Sequence, residues 1–144
     1  MTARLLALLL SLAAVLSGGC SGIPLPCEVT ISAVPPGATL AAGDLLPGGL
    51  PVIAAPGDFD LSATTILADV NGPTTVNLKL RGEAIGRLGA HTAGHVGEPM
   101  AITVNGRVVA VPIILAAIER GEIQITSGAA DAVNVGDAFA GCAR

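Results

Sequence analysis

The stretch AITVNGRVVAV, residues 101–111, sets Asn105-Gly106 between two runs rich in β-branched residues. Both turn residues tolerate positive φ, and a type I′ turn carries the twist its flanking strands need, so the stretch predicts a β-hairpin. Pro112 follows at once. It has no N–H for a ladder, so pairing should stop there or the second arm should lie on a sheet edge. Next comes the apolar segment IILAAI, Ile113 to Ile118. Two readings of it stand, a sticky patch beside a strand edge or a piece of the core.

Working outward, EIQIT (122–126) alternates apolar and polar residues and reads as a strand, as does TVNLKL (75–80), with Val76, Leu78 and Leu80 on one side. Between the latter strand and the hairpin the period changes. Ile85, Leu88, Thr92 and Val96 fall on one helical stripe, predicting a helix over Glu83–Val96 that ends at Gly97. Gly86, Gly89 and Gly94 each weaken it by about 1 kcal/mol relative to Ala, so it depends on packing. Upstream, CEVTISAV (27–34) reads as a strand halted by Pro35-Pro36-Gly37. Gly37–Gly57 is a Gly, Pro, Ala and Leu-rich stretch with Val52-Ile53 as a short strand. Phe59–Ala63 forms a short element, Thr64–Val70 a strand, and Asn71-Gly72-Pro73 a turn. The last segment has two readings: a helix from about Ser127, or a shorter one capped by Asn134 with Asp137 three residues on. In both, Phe139 and Cys142 share the buried face. The expected fold is α+β: a small antiparallel or mixed sheet with an Asn-Gly hairpin, one central helix and a C-terminal helix.

Met1–Arg4 is weakly positive, Leu5–Leu16 is apolar, and Ser17, Gly18 and Gly19 are small. The apolar run of about twelve residues is shorter than the roughly 20 a spanning helix needs, so residues 1–19 read as a signal peptide. LSGGC resembles a bacterial lipobox, although Ser17 stands where a branched aliphatic residue is usual. That makes Cys20 the lipidation site, with ordinary cleavage and secretion as the competing reading. Residues 20–26 are then a lipid-attached tether and 27–144 a single domain, exported to the bacterial cell envelope and facing the periplasm or cell surface.

Three cysteines are present. In an oxidising compartment one is odd; if Cys20 takes the lipid, Cys27 and Cys142 remain as a disulfide pair or as two buried free thiols. Hydrophobic residues make up 51% of the chain, yet it has two Phe and neither Trp nor Tyr, so the core must be aliphatic. Net charge is −4 without a basic cluster, which removes the footprint of nucleic-acid binding and of direct adhesion to anionic lipid. Membrane attachment therefore has to come from the anchor.

Strand, helix, Asn-Gly hairpin, Pro, strand and terminal helix, in that order, resemble the periplasmic head subdomain of the protein-export membrane protein SecD. Three passages between Asp58 and Thr126 carry the likeness: DFDLSATTILADVNGPTTVNLKL, HTAGHVGEPMAITVNGRVVAVPII and GEIQIT. After Gly128 the aromatic and acidic residues usual in that family's last helix give way to Ala, Val and Gly. The resemblance implies contact with emerging polypeptide or a translocase component. It offers no catalytic residues, and the sequence has neither the family's transmembrane helices nor room for the second periplasmic subdomain on which the family's head sits.

Other chemistry finds little support in the sequence. His91 and His95 stand at i, i+4, a spacing that can present two ligands to a metal, but Arg87 one turn earlier opposes a cation. Ser32, Ser62 and Ser127 lack a nucleophile elbow, and Asp58, Asp60, Asp131 and Asp137 pair with no base. The sequence therefore points to a lipid-anchored, non-catalytic protein without cofactor or metal. Its contact with polypeptide is expected at Pro112, Ile113 and Ile114. A secreted metal-binding protein or hydrolase using His91 and His95, and a structural envelope lipoprotein, are the alternatives.

Overall fold

A computed structural model describes residues 27–68, 73–128 and 131–142. The signal segment, Cys20, the tether and residues 71 and 72 of the expected turn lie outside the described residues. Those described form β1 (Val29–Ala33), β2 (Val52–Ala54), β3 (Thr65–Ala68), β4 (Thr74–Lys79), α1 (Ala84–Gly94), β5 (Met100–Val104), β6 (Arg107–Ala110), β7 (Glu122–Ser127) and α2 (Val135–Phe139). Short 3-10 turns at Pro56–Asp58 and Leu61–Ala63 join β2 to β3. The fold is α+β with antiparallel pairing throughout, but the strands make two sheets, ordered β2-β1-β5-β6 and β3-β4-β7.

The alternation in TVNLKL becomes a two-faced strand. Val76, Leu78 and Leu80 are buried, and Ile125 and Ile123 of β7 come level with Val76 and Leu78 on the same face. β5 is buried at every position because it lies between β1 and β6. At the hairpin tip Asn105 has φ 52° and Gly106 φ 81°, and Val104 pairs with Arg107. Asn105 also clamps the entry to β1: its N–H donates to the Glu28 carbonyl and its Oδ1 accepts the Glu28 N–H, both at 2.9 Å.

Ala84, Leu88 and Thr92 are the buried face of α1. Thr92 belongs on this apolar stripe because its hydroxyl is fully used, donating to the Leu88 carbonyl at 2.7 Å and accepting the Ile118 N–H at 2.8 Å. Val96 departs from the expected stripe. The helix ends at Gly94 and Gly97 turns the chain at φ 90°, leaving Val96 57% exposed.

The terminal helix takes the shorter of its two readings, with Asn134 Oδ1 accepting the Asp137 N–H at 3.1 Å. Val135 and Phe139 point into the core, and the Val135 N–H donates to Ser127 Oγ at 3.1 Å. Just beyond the helix, buried Cys142 is disulfide-bonded to Cys27 with a Cα separation of 5.3 Å. One mainly aliphatic cluster, including Ile31, Leu78, Leu88 and Ile102 together with the aromatic Phe139, ties both sheets and both helices together.

Candidate functional site

Pairing along β6 does not stop at Pro112. The register Ile102↔Ala110 continues as Pro99↔Ile113. Met100 N–H donates to the Pro112 carbonyl at 3.0 Å, Ile114 N–H to the Glu98 carbonyl at 2.9 Å, and Gly97 N–H to the Ile114 carbonyl at 2.7 Å. Pro112 thus faces the ladder with its carbonyl and forfeits one bond, while the arm becomes the edge of its sheet. Because antiparallel residues alternate in direction, the backbone groups of Val111 and Ile113 turn away from β5. Among the described residues neither finds a backbone partner.

β7 presents a second edge. Leu80 N–H donates to the Gly121 carbonyl at 2.8 Å, and the β4 register then directs residues 123, 125 and 127 toward β4 as well. The N–H and C=O groups of Glu122, Gln124 and Thr126 point to the open side, with no backbone partner among the described residues. Gly121 makes the approach to this strand feasible. It sits at φ 66° under Ile85, where a Cβ would come within 2.8 Å of Cγ1.

The two edges border one groove of about 550 Å³, whose lining includes Met100, Val111, Ile113, Leu115, Ile123 and Ile125. Glu122 is its single charged lining residue among those described. The IILAAI segment divides between its two readings. Ile114 is 2% exposed and belongs to the core, whereas Ile113 is 52% and Leu115 85% exposed. Of the three expected contact residues, Pro112 and Ile113 line the groove from accessible positions and Ile114 supports it from beneath. Leu115 falls within the IILAAI segment already read as a possible patch, whereas the open edge of β7 has no counterpart in the sequence reading. Alternation in EIQIT identifies a strand but says nothing about whether its second side is paired.

The His91 and His95 rings stack 4.1 Å apart and 11° from parallel, and His95 Nδ1 lies 2.7 Å from the His91 carbonyl. Stacked rings hold their nitrogens side by side rather than converging on one point. No group of three or more His, Cys, Asp or Glu able to hold a metal occurs among the described residues. Burial lowers the His91 pKa, reinforced by the neighbouring His95 and opposed by Glu98. Arg87 turns aside to pair with Asp58 at 2.6 Å.

Three of the four acidic candidates, Asp58, Asp60 and Asp131, are occupied locally. Asp58 accepts the Ala55 N–H, which with the Arg87 bond holds its pKa below the usual range. Asp60 accepts from the Ser62 hydroxyl and N–H, with the same effect. Asp131 accepts the Gly128 N–H at 2.6 Å. These carboxylates close turns, and each is satisfied by doing so.

Comparison with known proteins places this geometry. The sequence profile described as SecDF, P1 head subdomain matches residues 57–135. The protein translocase subunit SecD of Rhodobacter capsulatus is 36% identical over 77 residues, covering 54% of this chain and 13% of that protein. Among solved structures, a membrane component SecDF that enhances protein export matches with a TM-score of 0.59 at 20% identity, covering 81% of this chain and 61% of that one. SecDF from Thermus thermophilus, a translocon-associated membrane protein, matches with a TM-score of 0.51 at 23% identity, over 71% of this chain and 17% of that one. At these identities the structural matches speak to fold. The chain spans only a small part of the SecD subunit, and among its described residues no helix is long and apolar enough to cross a membrane.

Proposed function

Because the chain belongs to the SecDF P1 head subdomain family, we propose that it is a non-catalytic envelope protein, lipid-anchored at Cys20, that holds extended polypeptide during export. The observation that carries this reading is the groove between two unpaired strand edges. Exposed edges recruit extended chains by main-chain hydrogen bonding, independent of the client's sequence, and the apolar walls favour alternate hydrophobic side chains. A chain threading out of a membrane is extended and variable in sequence, so main-chain recognition suits it. The lipid on Cys20 supplies the proximity that membrane helices supply to the SecD subunit. Fold likeness alone would not fix this role; the unpaired strand edges carry it.

The test separates backbone pairing from generic stickiness. Gln124→Pro deletes an outward N–H while the bonds to β4 remain, and Gln124→Ala keeps that N–H. With a dye-labelled, extended peptide of alternating Val and Thr, Gln124→Pro should weaken binding roughly three- to tenfold, the worth of one net hydrogen bond. Gln124→Ala should bind as the parent does. Equal affinity of all three would dismiss edge pairing. In cells, a photocrosslinker at Leu115 should capture many secretory polypeptides; capture of one fixed neighbour would favour a structural envelope role.

A further inference from the structure

We propose that the end of the domain bearing Cys27 rests on the lipid surface, with exposed Leu45 inserted among the headgroups and the groove's mouth at Leu115 turned away. This rests on the lipid anchor proposed above, and it adds an orientation that the anchor alone does not fix.

Six residues lie between Cys20 and Cys27, and the seven Cα-to-Cα steps reach at most about 25 Å when fully extended. Pro24 and Pro26 restrict the conformations of that tether. Cys27 itself is fixed, by the disulfide to Cys142 and by the clamp of Asn105 on Glu28. The end of the fold that the tether holds closest to its anchor point is the hairpin tip. The loop running along the outside of β6 arrives there, with Gly43 N–H donating to the Val108 carbonyl and Leu46 N–H to the Gly106 carbonyl. Leu45 pairs with Arg107 in that run and is 70% exposed. It stands three strand spacings from β1, roughly 14 Å, inside the radius the tether allows.

The chemistry of this end fits an interface. From Pro35 to Gly57 the sole charged residue is Asp44, whose carboxylate accepts the Ala41 N–H at 2.9 Å. Arg107 has an exposed side chain and donates to the Gly43 carbonyl at 2.7 Å, leaving further guanidinium donors for a lipid phosphate. Glu28 is exposed here and opposes the contact, so apolar insertion of Leu45 has to drive it. At the other end of β5 stand Val96, Ile113 and Leu115, exposed and about 23 Å farther along the strands.

The chain contains no Trp, so single Trp variants report without background. Lipidated mature protein carrying Leu45→Trp or Leu115→Trp is reconstituted into phospholipid vesicles whose acyl chains bear bromine close to the headgroups, a contact quencher. Both positions are solvent-exposed and accept the larger ring. Trp at position 45 should lose most of its emission and Trp at 115 almost none. If the protein floats with the vesicles and the Leu45→Trp signal is undiminished, the orientation is wrong while the anchor stands. If instead the Leu115→Trp signal is quenched, the domain lies the other way. Protein of unmodified mass that fails to float would overturn the anchor and this inference together.

Discussion

A methyl group on residue 136 would lie 2.5 Å from Thr74 Cγ2 and 3.4 Å from Ile66 Cγ2, so the missing Cβ is what lets α2 settle onto β3 and β4. Helix propensity argues the other way, since Ala is favoured over Gly by about 1 kcal/mol in a helix interior. Overpacking costs typically 1–3 kcal/mol and should win here, because the opposing methyl sits on a paired strand. Gly136→Ala is therefore expected to lower the urea midpoint; a raised midpoint would show that α2 is free to shift. His91 is a second position where one residue acts beyond its surroundings. Its pKa lies below the ordinary histidine range, first because of burial and then because of the neighbouring His95. The unfolded chain therefore takes up the proton before the folded one as pH falls. Above about pH 7 the residue is neutral in both states and contributes nothing; below that, stability declines until the folded His91 protonates too. A series of melts from about pH 8 to 5 should show this decline, and His91→Gln should flatten it. An unchanged slope in the variant would assign the decline to other groups.

At the scale of elements, the hairpin shows which parts of the sequence are self-explanatory. Asn105-Gly106 specifies its turn because two consecutive positive φ values leave few residue choices, and nothing distant is needed to see it. Asn105→Gly keeps the turn and removes only the side-chain bond to the Glu28 N–H, whereas Asn105→Ala also forces an alanine into the left-handed region, at about 1–2 kcal/mol. Chemical denaturation should rank the alanine variant well below the glycine variant. Equal stability of the two variants would show that the left-handed backbone costs little here, and that the lost side-chain clamp accounts for whatever both give up. Periodicity likewise identifies α1 and the strand at Thr74–Lys79, since each buries one face of a regular element. What periodicity leaves open is partnership. Glu122–Ser127 reads as a strand whether it is central or marginal, and the division of seven strands into two sheets depends on contacts between residues far apart in sequence, such as Val29 with Val104 and Leu78 with Ile123.

At the scale of the whole molecule the groove is illegible in sequence for the same reason: its walls, Val111–Leu115 and Glu122–Thr126, become walls only when both sheets exist. IILAAI illustrates the limit, since Ile113 and Ile114 are chemically identical and one is exposed while the other is buried. The chain ends are the other long-range feature. Cys27 and Cys142 are 115 residues apart in sequence, and among the described residues the bond between them closes a loop that includes every strand and both helices. With an aliphatic core lacking Trp and Tyr, a domain of this size has a net stability of only about 5–15 kcal/mol. Loop-closure entropy for that separation is worth about 5 kcal/mol on the chain-entropy model. Reducing the native protein leaves both thiols in place and so adds no cavity, which makes it a cleaner comparison than replacing buried Cys142. Urea titration with and without reductant should therefore show a loss of about 3–5 kcal/mol, with a two-dalton gain in intact mass confirming that one bond was opened. If the mass changes and the midpoint does not, the ends remain together in the unfolded chain, and the clasp stabilises the fold far less than its length implies. Binding of the extended peptide should survive reduction at low urea, because the groove is framed by β6 and β7 and not by the joined ends.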